Sequence, residues 1–368
     1  MTFRRSMFLA CSLFLTTALL FGCNYGGEEP VKDKDFAVSA SVKTAIGAAG
    51  STFVNPIMQN WIATYQHAHP GVLVNYRPIG SGAGLAALKN SELEIAASDM
   101  PLNDEQLKGT LPVLQVPIAA GAVCAVYNLP GLKAPLRFSS STLAGIFLGN
   151  IISWQDPAIA HDNPGVALPH EAIIVVHRSD GSGTTSIFTS YLNKVSPEWS
   201  KKAGNGLSVN WPVGIAQQGS TGVLDFVKQN AGTIGYAELN YAAAQHLPVA
   251  LVENRAGAFV EPSAVSTTAA VAAFDAELAQ DARAPIVDPP ASAKDAYPIA
   301  GISFFLIAKD GTDTVERQAI RDFTRYIVTS GQDLSEGLDY AKLPKPVQDH
   351  ALRLLGQMQS NGQPIKAS

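Results

Sequence analysis

At 368 residues, 46% hydrophobic and 15% charged, the chain has the apolar content to bury a sizeable core and the length for two globular domains. Its net charge of -5, with no basic stripe along the sequence, argues against nucleic acid as a partner. Composition describes a soluble globular protein and goes no further.

Arg4 and Arg5 precede an apolar run over residues 7–21, interrupted by Ser12, Thr16 and Thr17. The run falls short of the ~20 apolar residues of a membrane span but suits a secretory signal. It ends in Leu20-Phe21-Gly22-Cys23, which resembles the lipobox of bacterial lipoprotein signals, although small residues are commoner than Phe at that place. Residues 1–22 are therefore expected to be a cleaved signal peptide, with Cys23 as a lipidated first residue. A plain signal followed by an incidental cysteine is the alternative. Of the other cysteines, Cys11 would leave with the signal, and Cys124 sits in the apolar run 119–127, where it reads as a small buried residue; no disulfide framework is implied. Cleavage removes two cations and no acid, so the mature chain is more acidic still.

Residues 23–44 include Gly26-Gly27-Glu28-Glu29-Pro30 and Lys32-Asp33-Lys34-Asp35 and read as a flexible tether. Beyond it, strand, Gly/Ser turn and helix alternate. Ile57, Trp61 and Tyr65 form a helical stripe over residues 56–66, opened by Pro56. Residues 72–77 read as a strand, and 80–84 turn into a helix through 85–89. Residues 93–97 make a short strand ending at Ser98-Asp99. Residues 172–177 make another, followed by Arg178-Ser179-Asp180-Gly181-Ser182-Gly183-Thr184 and a helix through Tyr191. This is the rhythm of an α/β protein with ligand loops at the C-terminal ends of strands.

Three turns share one design, in which a small hydroxyl residue beside glycine follows a strand and opens a helix. They are Ala49-Gly50-Ser51-Thr52-Phe53, Gly80-Ser81-Gly82 and Gly181-Ser182-Gly183-Thr184. The first N–H groups of a helix lack internal partners and the dipole there favours negative charge. Glycine admits an anion close to the backbone, and Ser or Thr adds a donor. Each turn taken singly also reads as an ordinary N-cap; three together, with an arginine, point to one oxyanion held by several helix ends. Arg178 stands where a strand delivers its fork of donors to the third turn, a geometry that suits a tetrahedral oxyanion or a surface ion pair. Asp180 either orients Arg178 or caps the turn. Asp99 accepts hydrogen bonds and cannot donate, so it is poorly placed beside a fully ionised anion and well placed beside a protonated one. It reads equally as a turn aspartate ahead of Pro101.

From about residue 44 nearly to the C-terminus the chain resembles the phosphate-binding receptors of bacterial ABC phosphate transporters. The matching stretches are 47–53, 61–65, 74–82, 97–102, 178–191, Trp211-Pro212-Val213-Gly214, 232–236 and 338–343. The resemblance implies a two-lobed periplasmic-binding-protein fold with two hinge crossovers and a central cleft. One lobe would comprise residues 45–120 and 300–368, and the other residues 121–299. It implies inorganic phosphate bound without metal or cofactor by Thr52, the Phe53 amide, Ser81 and Asp99 from one lobe, and by Arg178, Ser182, the Gly183 amide and Thr184 from the other, with Asp180 paired to Arg178. It also implies an exported monomer, in the periplasm or at the cell surface, that touches the membrane only through its lipid anchor, delivers phosphate to a permease and ATPase complex, and is not an enzyme. Departures from the family pattern are Ser51 where alanine is usual, Gly82-Ala83-Gly84 after Ser81, and His177 for a frequent arginine. With a negative mature chain, local dipoles and Arg178 must do the binding, in a cleft closed over hinges near 117–127 and 297–309.

Rival readings fare worse. A nucleotide loop needs Gly-Lys-Ser/Thr, and Gly183 is followed directly by Thr184. A phosphate-ester or other serine hydrolase lacks the Gly-x-Ser-x-Gly elbow. His67 and His69 near a helix end and His161-Asp162 in a proline-rich loop do not assemble metal ligands, and all seven histidines read as structural or surface. A phosphate sensor or scavenger without a transporter remains the alternative.

Overall fold

The computed structural model describes residues 42–108 and 112–365. In chain order the first twelve strands begin with β1 (Thr44–Gly50), β2 (Val72–Arg77), β3 (Ile95–Ser98), β4 (Val113–Asn128), β5 (Arg137–Phe138) and β6 (Ile174–Arg178). They continue as β7 (Ile215–Gln217), β8 (Thr233–Glu238), β9 (Leu251–Glu253), β10 (Phe259–Val260), β11 (Ala300–Ala308) and β12 (Tyr340–Ala341). The first nine helices are α1 (Asn55–Ala68), α2 (Ser81–Lys89), α3 (Asp104–Leu107), α4 (Ser140–Leu148), α5 (Pro157–Asp162), α6 (Gly183–Val195), α7 (Pro197–Lys202), α8 (Gly219–Gln229) and α9 (Leu239–Ala244).

One long strand organises the molecule. The first part of β4 pairs antiparallel with β11 from Val113 to Ala122, and its second part pairs antiparallel with β8 from Val123 to Asn128. The strand order β2-β1-β3-β11-β4-β8-β6-β7 thus divides into two sheets that share β4. From Leu114 to Tyr127 β4 is buried throughout, so apart from Gln115 it reads as an apolar run without alternation, as a strand covered on both faces does. Cys124 lies in that run, fully buried, and its thiol donates to the Ala237 carbonyl at 3.3 Å. The result is the α/β, two-lobed architecture expected, and β4 and β11 occupy the two stretches singled out as crossovers.

Local rules explain the elements near the seam. Helix α1 buries Ile57, Met58, Trp61, Ile62 and Tyr65 on one face, with Pro56 in its first turn, where its missing N–H costs nothing. The helix runs one residue earlier and two later than the sequence stripe, since Asn55, His67 and Ala68 add no large apolar side chain to mark them. Strand β6 spans Ile174–Arg178 rather than 172–177, because Ala172 is drawn into a bridge with Ser153. Gly50 closes β1 at φ 137°, and a Cβ there would collide with the Ala97 carbonyl of β3.

One expectation is corrected. His161-Asp162 ends helix α5 rather than lying in a loop: Pro157 opens that helix, and Asp156 caps it by accepting the Ala158 N–H at 2.9 Å. Asp162 is buried and accepts the Ser139 N–H at 2.7 Å, a structural role.

Candidate functional site

Five strand ends converge on the seam between the sheets. β1 delivers Ser51 and Thr52, β3 delivers Asp99, β6 ends on Arg178, β7 leads to Gly219-Ser220 and β8 ends on Glu238. The two sides touch through backbone, since Gly82 N–H donates to the Gly181 carbonyl at 2.8 Å. Gly80, at φ 93°, has room for no Cβ, because Asp180 Oδ2 would lie 2.7 Å from it.

Arg178 is 4% exposed, and Nε, both hydrogens of Nη1 and one of Nη2 have partners. Nε and Nη2 grip Asp180 as a fork, at 2.7 Å to Oδ1 and 2.5 Å to Oδ2. Nη1 donates to Thr52 Oγ1 at 3.1 Å and to Ser220 Oγ at 2.8 Å. Asp180 also accepts the Gly219 N–H at 3.0 Å. It therefore pairs with the arginine and ties down the start of α8 at once. Burial works against the Arg178 charge, but the Asp180 hydrogen bonds and the neighbouring Glu238 carboxylate outweigh it, and the net shift of its pKa is upward.

Asp99 lies on the facing side. Ser51 Oγ lies 2.7 Å from both of its oxygens, Ser303 Oγ donates to Oδ1 at 2.5 Å, and Ser81 Oγ approaches Oδ2 at 3.4 Å. Burial pushes its pKa up to about 7; the Ser303 and Ser51 bonds pull down, Glu238 pushes up and Arg178 pulls down. Asp99 is thus a built part of the seam, which disfavours the plain turn reading.

Ser182 caps α6 by accepting the Thr185 N–H at 3.2 Å, so the ordinary N-cap reading holds for it, while its own hydrogen stays available to another acceptor. Gly183 stands so close to the opposite side that a Cβ would strike Asp99 Oδ2 and Ser81 Oγ. Thr184 donates its hydroxyl to Glu238 Oε1 at 2.6 Å. The Phe53 ring is buried edge-on against Tyr340 with centroids 6.0 Å apart, and its carbonyl accepts the Tyr340 hydroxyl at 2.5 Å. Only its backbone can therefore face an anion. Thr52, Ser81, Asp99, Arg178, Asp180, Gly183 and Thr184 are gathered at one place; Cys23 lies outside the described residues. His177 stacks on Trp211 at 4.8 Å, and burial lowers its pKa. Among the described residues no three His, Cys, Asp or Glu side chains assemble as a metal site.

Sequence reasoning missed three site residues. Ser220 opens α8 in Gly219-Ser220-Thr221-Gly222, the same hydroxyl-beside-glycine pattern as the other turns, and was there to be found. Ser303 in mid-strand and Glu238 at a strand end carry no local signal, because pairing between strands distant in the chain brings them in, β11 with β3 for Ser303 and β8 with β4 and β6 for Glu238.

A seam between two sheets that share a strand, lined by hydroxyls, helix starts and one arginine locked to a carboxylate, defines a two-lobed binding protein for a small oxyanion. Residues 37–330 match the PBP superfamily domain. The chain is 41% identical over 301 residues to the phosphate-binding protein PstS of Xylella fastidiosa (strain Temecula1), covering 81% of each. It is 37% identical over 367 residues to that of Methanocaldococcus jannaschii, covering 93% of this chain and 92% of the relative. The chain belongs to this family of phosphate-binding proteins within the PBP superfamily. Its fold resembles the solved structure of a high affinity periplasmic phosphate-binding protein bound with phosphate, with a TM-score of 0.66 and 23% identity over 83% of this chain and 92% of that one.

Proposed function

We propose that this chain is an extracytoplasmic receptor that captures inorganic phosphate at the seam and delivers it to an ABC-type permease, without catalysing a reaction on it. The observation that carries the reading is the meeting of Arg178, Thr52 and Ser81 with a buried acceptor, Asp99, across two sheets. Thr52, the Phe53 amide, Ser81, Ser182, the Gly183 amide and Thr184 supply donors. Arg178, held by Asp180, supplies the charge. Asp99 accepts a hydrogen bond from the P–O–H that phosphate keeps at neutral pH and sulfate lacks. Residues 45–120 with 300–368 form one lobe and 121–299 the other, and Cys23 carries the lipid that keeps the receptor at the membrane.

Calorimetric titration with phosphate, sulfate and a phosphate monoester tests it. Phosphate should bind tightly, and sulfate should bind weaker by on the order of 10⁴, as sites built around a ligand's hydrogen-bonding group discriminate. The monoester should be rejected by a closed cleft. Equal binding of phosphate and sulfate would remove Asp99 from the role of selector, and no phosphate binding would overturn the function.

A further inference from the structure

Glu238 ends β8 at the floor of the seam and is 1% exposed. Its Oε1 receives three hydroxyls: Thr184 at 2.6 Å, Ser220 at 2.9 Å and Thr52, more distantly, at 3.4 Å. Its Oε2 is buried with no partner among the described residues. The same Ser220 and Thr52 oxygens receive Arg178 Nη1, so Glu238 and the arginine meet through shared hydroxyls.

Two consequences follow from elementary chemistry. A hydroxyl has one hydrogen, so an anion seated against Thr184, Thr52 or Ser220 competes with Glu238 for it. The charges also fail to cancel. Asp180 already matches Arg178, the single cation of this hydrogen-bonded cluster among the described residues, and Glu238 adds a negative charge where water does not screen it. Around it stand Asp99 after β3, Arg178 at the end of β6, Cys124 on β4, Tyr241 on α9 and Tyr340 on β12. None of the residues besides Arg178 brings positive charge.

We propose that Glu238 is an affinity-limiting residue of the phosphate site: its carboxylate repels the anion and holds the hydroxyl hydrogens the anion needs, so binding stays weak enough for release. The inference rests on the phosphate reading above. A receptor that hands its ligand on gains from such an opposing group, because every donor added to the seam slows release and Glu238 offsets part of that gain.

The test is phosphate calorimetry and stopped-flow release with wild type, Glu238→Gln and Glu238→Asp. Glu238→Gln keeps an oxygen acceptor of the same reach and removes the charge, so phosphate should bind tighter by about tenfold or more, with slower release. Glu238→Asp keeps the charge but withdraws it from the hydroxyls by one methylene, and should tighten binding less. A Glu238→Gln protein that melts like wild type and binds phosphate no tighter overturns the inference. If Glu238→Gln does not fold, Glu238→Asp decides alone: tighter binding supports the inference, and equal or weaker binding overturns it. Wild type that fails to bind phosphate would overturn the function itself, a separate outcome.

Discussion

Asp99 illustrates how a single residue takes its character from its neighbours. Burial is the largest influence on it and raises its pKa from 3.8 to about 7, although three serines donate to it or approach it. A carboxylate whose folded pKa lies above its unfolded value binds a proton in the fold that the unfolded chain has released. Its stabilising contribution is therefore complete below about pH 4 and is lost as pH rises through about 7. Asp99→Asn is neutral at every pH and can still accept from Ser51 and Ser303. In phosphate-free buffer the variant and wild type should melt alike near pH 4. At pH 8 the variant should be more stable by about 2–4 kcal/mol, since each pKa unit is worth about 1.4 kcal/mol. Melting curves that stay parallel from pH 4 to 8 would show that Asp99 does not titrate in this window. Of this arrangement the sequence disclosed Asp99 and its chemistry. Ser303 was invisible because it lies 204 positions away on another strand.

Helix α6 shows how an element turns a loop motif into geometry. Ser182 caps it, and Ile187, Phe188, Tyr191 and Leu192 bury its inner face, which fixes where its first turn points. Gly183 is then pressed against Asp99 and Ser81 from the opposite side, with no space for a methyl group. Gly183→Ala should leave the helix folded, because its buried face is untouched, but should force the start of α6 away from β3 and α2. Overpacking of this kind costs roughly 1–3 kcal/mol. Phosphate affinity should accordingly fall by about five- to 150-fold in calorimetry. Affinity within twofold of wild type would mean that the two sides do not need this close approach. The glycine loop itself was legible. The reason for this particular glycine was not, since the atoms that exclude a Cβ belong to Asp99 and Ser81, far off in sequence.

At the scale of the whole molecule, the receptor reading joins a cleft to an anchor. A tether keeps a receptor close to its permease, and residues 23–44 with Cys23 are the proposed tether. Cys23→Ala should yield a soluble exported protein or leave residues 1–22 attached. Mass spectrometry of the membrane-extracted wild type should find an N-terminal cysteine carrying acyl chains, and an unmodified mature N-terminus would overturn the anchor.

The sequence by itself determined much of this protein: the α/β rhythm, the glycine-hydroxyl turns, Arg178 at its strand end and the acceptor Asp99. These rest on local rules of periodicity, helix starts and side-chain chemistry, which act over a few residues and are written in the order of the chain. Tertiary structure alone decided that Asp180 both grips Arg178 and holds the start of α8, that Ser51 and Ser303 share Asp99, and that Glu238 draws hydroxyls from three elements. The first two depend on strands distant in the chain pairing side by side, and the reach of Thr52 to Glu238 on β4 belonging to two sheets, which brings the strand ends to one seam. Burial there changes what each charge costs, and burial is a property of the packed chain that no short stretch of sequence records.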